Sequence, residues 1–299
     1  MTGPSGEDPQ EFISGSGLAI GDALSWSADG NRLAFSAPGV ESTASEPYGT
    51  GWPTVGIVRA DGSHVRVFRR AFLNAGDPVL SPDGRSIVFQ RVKVVKMPPG
   101  GEDPLLKSAL WSLDVTHGSV RRLTPWRLES FLEPASFSPD GSTLAVEFWR
   151  RGEDGVAAID LHGHRHGLLA RKAHEPTYSP DGTKLAFVRL KGIGSYSLPE
   201  HPVSELWVAR TDGSEARRVL SKKGYISFPS WDPSGSRLSF TSNPPAEATG
   251  ALEPEFGNKL MEVNADGTCL TKIFSDPKTV VKGSAWQPGP GREAGPISC

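Results

Sequence analysis

Three histidines stand at alternate positions, His162, His164 and His166. On one straight strand they would share a face and could bind zinc or nickel. Gly163 argues against that, because it falls where a tight turn is expected. His162 and His164 then flank the turn, and the trio reads as solvated turn residues with Asp160 nearby. Asp29, Asp83, Asp140 and Asp181 could suggest acid–base chemistry, but they recur singly before a glycine and read as turn cappers. Ser16, in Ser-Gly-Ser-Gly, lacks the strand–turn–helix setting of a hydrolase nucleophile. No phosphate-cradling glycine loop, His-Glu-x-x-His or Cys-x-x-Cys occurs.

The elements that would position any chemistry come from one repeated hairpin. Its clearest copy is Glu175–Val188, EPTYSPDGTKLAFV. Pro180 pre-sets φ for the turn, Asp181 caps it, Gly182 takes the positive φ, and an alternating strand follows. The turn glycines of six copies are Gly30, Gly84, Gly141, Gly182, Gly235 and Gly289, at spacings of 54, 57, 41, 53 and 54. A large apolar residue precedes each turn: Trp26, Leu80, Phe137, Tyr178, Trp231 and Trp286. A second hairpin, usually with an Asp-Gly turn, lies between copies, as in residues 205–220, ELWVARTDGSEARRVL. Arg66, Arg121, Arg122, Arg217 and Arg218 mark its outer strand, where charge discourages edge-to-edge association. Each unit is thus four antiparallel strands, A to D. Six such units predict an all-β, six-bladed β-propeller over residues 22–289, with residues 290–299 as a tail.

The Ser-Pro-Asp-Gly turn, the Leu-Ala-Phe strand, the Leu-Trp-Val strand and the Ala-Asp-Gly turn together resemble the TolB-like six-bladed β-propeller family, over nearly the whole chain. The resemblance implies a binding platform and leans towards a periplasmic or cell-envelope setting. The last copy supplies only strand A (residues 284–287), and within residues 1–21 the stretch 12–20 could add one closing strand. The sixth blade is therefore expected to hold two or three strands, unless the native chain starts further upstream.

Alternating strand direction places the A–B and C–D turns on one face of the disc and the longer B–C loops and D–A connectors on the other. The B–C loops are read at 37–53, 92–108, 191–203 and 242–257, with a compact one at 149–155. Loops on a rigid scaffold are where binding resides. Tyr48, Trp52, Trp126, Arg127, Arg150, Tyr196, His201 and Phe256 are the expected partner-binding residues, with Lys96, Met97, Arg151 and Tyr225 of the same exposed type. At the start of strand A, Asp22, Asp77, Glu133, His174, Glu175 and Lys282 converge on the channel mouth. They could receive a basic group of a partner or a hard cation such as calcium.

A net charge of −2 gives no electrostatic case for nucleic acid. There is no run of 18 apolar residues to span a membrane, and the first twelve residues do not read as a signal peptide. Cys269 and Cys299 make no framework, and two free thiols are expected. The function predicted is a non-catalytic scaffold for a protein or peptide, with no cofactor required. The alternative is a propeller enzyme of lactonase, lyase or hydrolase type, with a cation-assisted pocket at Asp77 and Glu133.

Overall fold

A computed structural model describes residues 23–37, 54–68, 75–96, 105–128, 130–150, 153–191, 203–243, 259–275, 285–288 and 296–299. They form five four-stranded blades. The first is β1 (Leu24–Trp26), β2 (Arg32–Ala37), β3 (Thr54–Arg59) and β4 (Arg66–Val67). The second is β5 (Ala75–Leu80), β6 (Ser86–Lys96), β7 (Leu105–Asp114) and β8 (Val120–Arg122), with the short β9 (Arg127–Leu128) pairing β7. The third is β10 (Ser130–Phe137), β11 (Thr143–Arg150), β12 (Glu153–Asp160) and β13 (Arg165–Arg171). The fourth is β14 (His174–Tyr178), β15 (Lys184–Lys191), β16 (Val203–Arg210) and β17 (Arg217–Lys223). The fifth is β18 (Tyr225–Trp231), β19 (Arg237–Asn243), β20 (Lys259–Asn264) and β21 (Thr271–Ser275). Every sheet runs in chain order with antiparallel neighbours. The A–B and C–D turns therefore share one end of each blade. Backbone bonds join them there, as in Ala60 N to Asn31 O (2.9 Å) and Val115 N to Arg85 O (2.8 Å).

The turn chemistry repeats atom for atom. Ser179 Oγ donates to Asp181 Oδ1 at 2.6 Å and accepts the Lys184 N–H at 2.9 Å. Gly182, at φ 69°, returns its N–H to Ser179 O. Ser27, Ser81 and Ser138 make the same pair of bonds. In the fifth blade the two polar residues exchange places: Asp232 Oδ1 accepts the Arg237 N–H and Ser234 Oγ donates to Asp232. The serine, beside the proline, aspartate and glycine, is thus part of the turn. It ties the end of strand A to the start of strand B.

Six blades were expected, and among the described residues five blades are found. Of the sixth copy, residues 285–288 are among the described residues, and they form no strand. They nevertheless occupy the sixth position. Leu80 N–H donates to Ser25 Oγ of the blade before it, and Tyr178 N–H does the same to Ser136 Oγ. Trp286 N–H repeats this bond to Ser230 Oγ at 3.3 Å. Gln287 Nε2 then reaches Gly30 O of the first blade at 2.8 Å, so the segment bridges the fifth and first blades. The turn prolines continue the pattern. Gly141, Gly182 and Gly235 lie over Pro82, Pro139 and Pro180 of the preceding blade, and Gly30 lies against Pro288. A Cβ on Gly182 would meet Pro139 Cδ at 3.4 Å and Cγ at 3.6 Å, whereas one on Gly30 would land on the Pro288 carbonyl oxygen. Both sites have a left-handed φ, so Gly182→Ala should cost about 1–2 kcal/mol and Gly30→Ala roughly 2 kcal/mol more, read by urea unfolding. Equal costs would show that Pro288 does not close the ring.

The core lies between blades. Phe35, Phe89, Phe187 and Phe240, in the B strands of four blades, are fully buried, and Val146 takes the same place in the third. Ala34, Val55 and Ile57 pack with Phe89 and Leu113 across the first blade boundary. The outer arginines were expected simply to protect an edge, but three of them clamp the next blade. Arg66 donates to Val115 O (2.7 Å), Arg121 to Leu161 O (3.2 Å) and Arg217 to Ala265 O (2.6 Å).

Cys269 and Cys299 form a disulfide, contrary to the free thiols expected. The side chain of Asn264 brings them together: it exchanges two hydrogen bonds with the backbone of Ile297, at 2.8 and 2.9 Å. The loop expected at 92–108 is also corrected. Strands β6 and β7 continue pairing outward to Lys96↔Leu105, because Val92, Val94 and Leu106 extend the alternating pattern. At the compact connection 149–155, strands β11 and β12 stay paired as far as Arg150↔Glu153.

Candidate functional site

The first strand of a blade lines a central channel of about 1270 Å³. In three blades the residue three before the anchor has positive φ: Asp77 (52°), Glu175 (51°) and Phe228 (55°). Pairing slips at each, between Gly76 and Val79, His174 and Thr177, and Ser227 and Ser230. These bulges re-aim side chains at the start of strand A, which lies beside the end of strand B and hence at the B–C loop end. Proline cannot take positive φ, and where Pro134 holds the equivalent place the slip is shorter, between Pro134 and Ser136.

Asp77, Glu133, His174 and Glu175 do come together at the channel, joined by Glu147 of β11. His174 Nδ1 lies 2.7 Å from Glu147 Oε1, and His174 Nε2 lies 3.7 Å from Asp154 Oδ2. The Glu175 N–H donates to Glu147 Oε2 at 3.0 Å, and the Glu175 carboxylate accepts the Phe228 N–H. The third, fourth and fifth blades are thereby linked by one polar chain. Burial, reinforced by the charges of Asp77, Glu147 and Glu175, pushes the Glu133 carboxyl up to about 8, against a hydrogen bond from Gln90. Burial likewise pushes Glu175 up to about 8, opposed by the Phe228 amide. For His174 burial acts downward, but the hydrogen bond and charge of Glu147 outweigh it and raise its pKa. Carboxyls whose pKa is raised in this way favour a cation that would let them ionise.

Glu147 and Phe228 were missed from sequence. The signal for Glu147 was a carboxylate in the strand-B slot held elsewhere by Ser36, Gln90, Val188 and Thr241. Phe228 acts through its backbone, which no residue type announces. Among the expected partner-binding residues, Trp126 is half-buried, edge-on to Trp111 at 6.2 Å and beneath the Lys107 ammonium. Arg127 and Arg150 are exposed at strand ends. Tyr225, expected to be exposed, is buried in β18. Tyr48, Trp52, Met97, Arg151, Tyr196, His201, Phe256, Asp22 and Lys282 lie outside the described residues. His164 and His166 both face Asp160 Oδ2, at 3.1 and 3.3 Å, and Asp160 caps the turn through the His162 and His164 amides. Among the described residues no group of three or more histidine, cysteine or acidic side chains is arranged to hold a metal ion. No helix there is long and apolar enough to cross a membrane.

The ring of four-stranded blades matches known structures in its fold. TolB from Acinetobacter baumannii superposes with a TM-score of 0.65 at 19% identity, covering 94% of this chain and 60% of that one. The putative TolB from Agrobacterium tumefaciens gives 0.62 at 20% identity, covering 91% and 87%. The chain has the β-propeller fold of these two TolB structures. In sequence it is 32% identical over 104 residues to the Tol-Pal system protein TolB of Anaeromyxobacter dehalogenans. That match covers 34% of this chain and 22% of the relative, about a fifth of its length. No family model matches the chain.

Proposed function

We propose that this TolB-like propeller is a non-catalytic binding scaffold whose loop-bearing end takes a basic segment of a partner protein at the channel mouth. The observation that carries this reading is the convergence of Asp77, Glu133, Glu147 and Glu175 from three blades, with two of the carboxyls held near neutrality by burial. A lysine or arginine entering the mouth would replace the missing countercharge, and each carboxyl it meets would release a proton. The loop residues, including Trp126, Arg127 and Arg150, would supply the surrounding contact surface. The curated relative is named for the Tol-Pal system, which supports a role in a protein assembly of the cell envelope. A disulfide, which persists in oxidising compartments, supports the same setting.

The test is calorimetric titration of the full chain with hexa-arginine at pH 7, in two buffers of different ionisation enthalpy. Wild type should bind and release protons. Glu133→Gln with Glu175→Gln should lose the proton release and weaken binding about tenfold or more. Undiminished binding by the double variant would refute the channel-mouth assignment. A calcium titration followed by melting temperature runs beside it. A calcium shift that the same double variant abolishes would assign the mouth to a metal instead.

A further inference from the structure

Two blades carry the same polar cluster, and one of them lacks its centre. In the fourth blade Phe187 pairs Trp207, Arg189 pairs Glu205, and Lys191 lies one pleat further out. In the second blade the same register gives Phe89 with Trp111, Arg91 with Ala109, and Lys93 further out. On the outer strand Arg218 faces Trp207 and Arg122 faces Trp111. Each strand-B arginine lies over its tryptophan, Arg189 at 4.5 Å and Arg91 at 4.9 Å.

Glu205 organises the cluster of the fourth blade. Its carboxylate accepts from Trp207 Nε1 (3.1 Å), Arg218 (2.9 Å) and Lys191 (2.8 Å), while the residue is 3% exposed. Burial pushes its pKa up, but the bonds from Lys191, Arg218 and Trp207 outweigh it and hold the carboxyl below its usual value. In the second blade Ala109 stands in place of Glu205. Trp111 Nε1 is consequently buried without an acceptor. Among the described residues no carboxylate pairs with Arg91, Lys93, Lys107 or Arg122. Lys93 and Lys107 sit directly opposite one another, where like charges repel. Lys93 and Arg122 are exposed, so the cluster opens to solvent.

We propose that the second blade bears a carboxylate-receiving site, formed by Trp111, Arg91, Lys93, Lys107 and Arg122, which takes an aspartate or glutamate side chain from an acidic segment of a partner protein. The incoming carboxylate does there what Glu205 does within the fourth blade. Arginine and indole donors around one carboxylate make charge-assisted hydrogen bonds, and the ligand also relieves the opposed lysines. Strand β9 leads out of the same place, with Trp126 packed on Trp111, which couples the site to the loop-bearing end. This site does not depend on the channel mouth, whose charge is of the opposite sign.

The probe is hexaglutamate, titrated into the full chain at low salt and followed by tryptophan fluorescence. Wild type should bind and lose affinity as salt rises. Ala109→Glu supplies the carboxylate internally, so it should raise the melting temperature and weaken hexaglutamate about tenfold or more. Lys93→Gln with Arg122→Gln, both at exposed positions, should weaken it by a similar factor with an unchanged circular dichroism spectrum. Glu133→Gln should bind hexaglutamate like wild type, which separates this result from the channel-mouth test. Equal binding by wild type and Ala109→Glu would overturn the proposal. So would inorganic phosphate binding as tightly as the peptide, or a concentration-dependent dimer that the Lys93 and Arg122 changes dissolve, which would make a second copy the occupant.

Discussion

Raising the pH from about 5 to about 9 will lower the stability of this propeller by several kcal/mol. One buried carboxyl moving from 4.5 to about 8, as Glu175 does, accounts for a change on the order of 4 kcal/mol. A carboxyl with a raised folded-state pKa holds its proton in the native protein while the unfolded chain has lost it. Its contribution is complete below the unfolded value of 4.5 and disappears as the pH passes about 8. Glu133 has the same direction and the same window. The two share one field with Asp77 on β5 and Glu147 on β11, so their effects will not simply add. His174, with Asp154 on β12 and Glu147 around it, works the same way: its pKa is raised from 6.5, and the stability it confers is lost as the pH climbs past that raised value. The turn aspartates oppose this at the acid end. Hydrogen bonds from Ser27 and Ser138 lead in lowering the Asp29 and Asp140 pKa values, and that stability is lost as the pH falls below 3.8. Urea unfolding across the range should therefore peak on the mildly acidic side. Glu175→Gln keeps an acceptor for the Phe228 amide and should flatten the alkaline limb. A wild-type curve that is level or rising between pH 5 and 9 would show that the mouth is open to water.

Reduction of the Cys269–Cys299 disulfide is expected to cost about 3–4 kcal/mol, from the loop-closure entropy of a separation of 30 residues. The closed loop contains residues 285–288, the segment that bonds both Ser230 and Gly30. Opening the disulfide thus releases the piece that joins the last blade to the first. Thermal unfolding with and without dithiothreitol measures this, and Cys299→Ser in the absence of reductant should give the same loss. Asn264→Ala, which removes only the two bonds to Ile297, should cost roughly 1–2 kcal/mol. A reduced protein as stable as the oxidised one would mean that residues 285–288 hold the ring without the covalent tie.

The turns were legible because their chemistry is local. Ser179, Asp181 and Gly182 satisfy one another within five residues, and the same chemistry recurs in each blade, with the two polar residues exchanged in the fifth. The hairpins, the buried strand-B phenylalanines and the convergence of Asp77, Glu133, His174 and Glu175 follow from that repeat. The number of complete blades did not follow, because Trp286 fills an anchor position with no partner strand among the described residues. Nor did the role of the outer arginines: Arg217 reads as edge charge until Ala265, 48 residues later, is found beneath it.

By itself, then, the sequence determined the architecture: four-stranded antiparallel units set by repeated turns, ordered around a channel with two unlike ends. Only the tertiary structure decided which polar groups lack partners. Burial of Glu133 and Glu175, pairing of Cys269 with Cys299 and the unanswered indole of Trp111 all depend on groups brought close from other strands and blades. Turn formation is governed by bonds within a few residues. Desolvation and charge pairing are governed by whatever the closed ring packs against them.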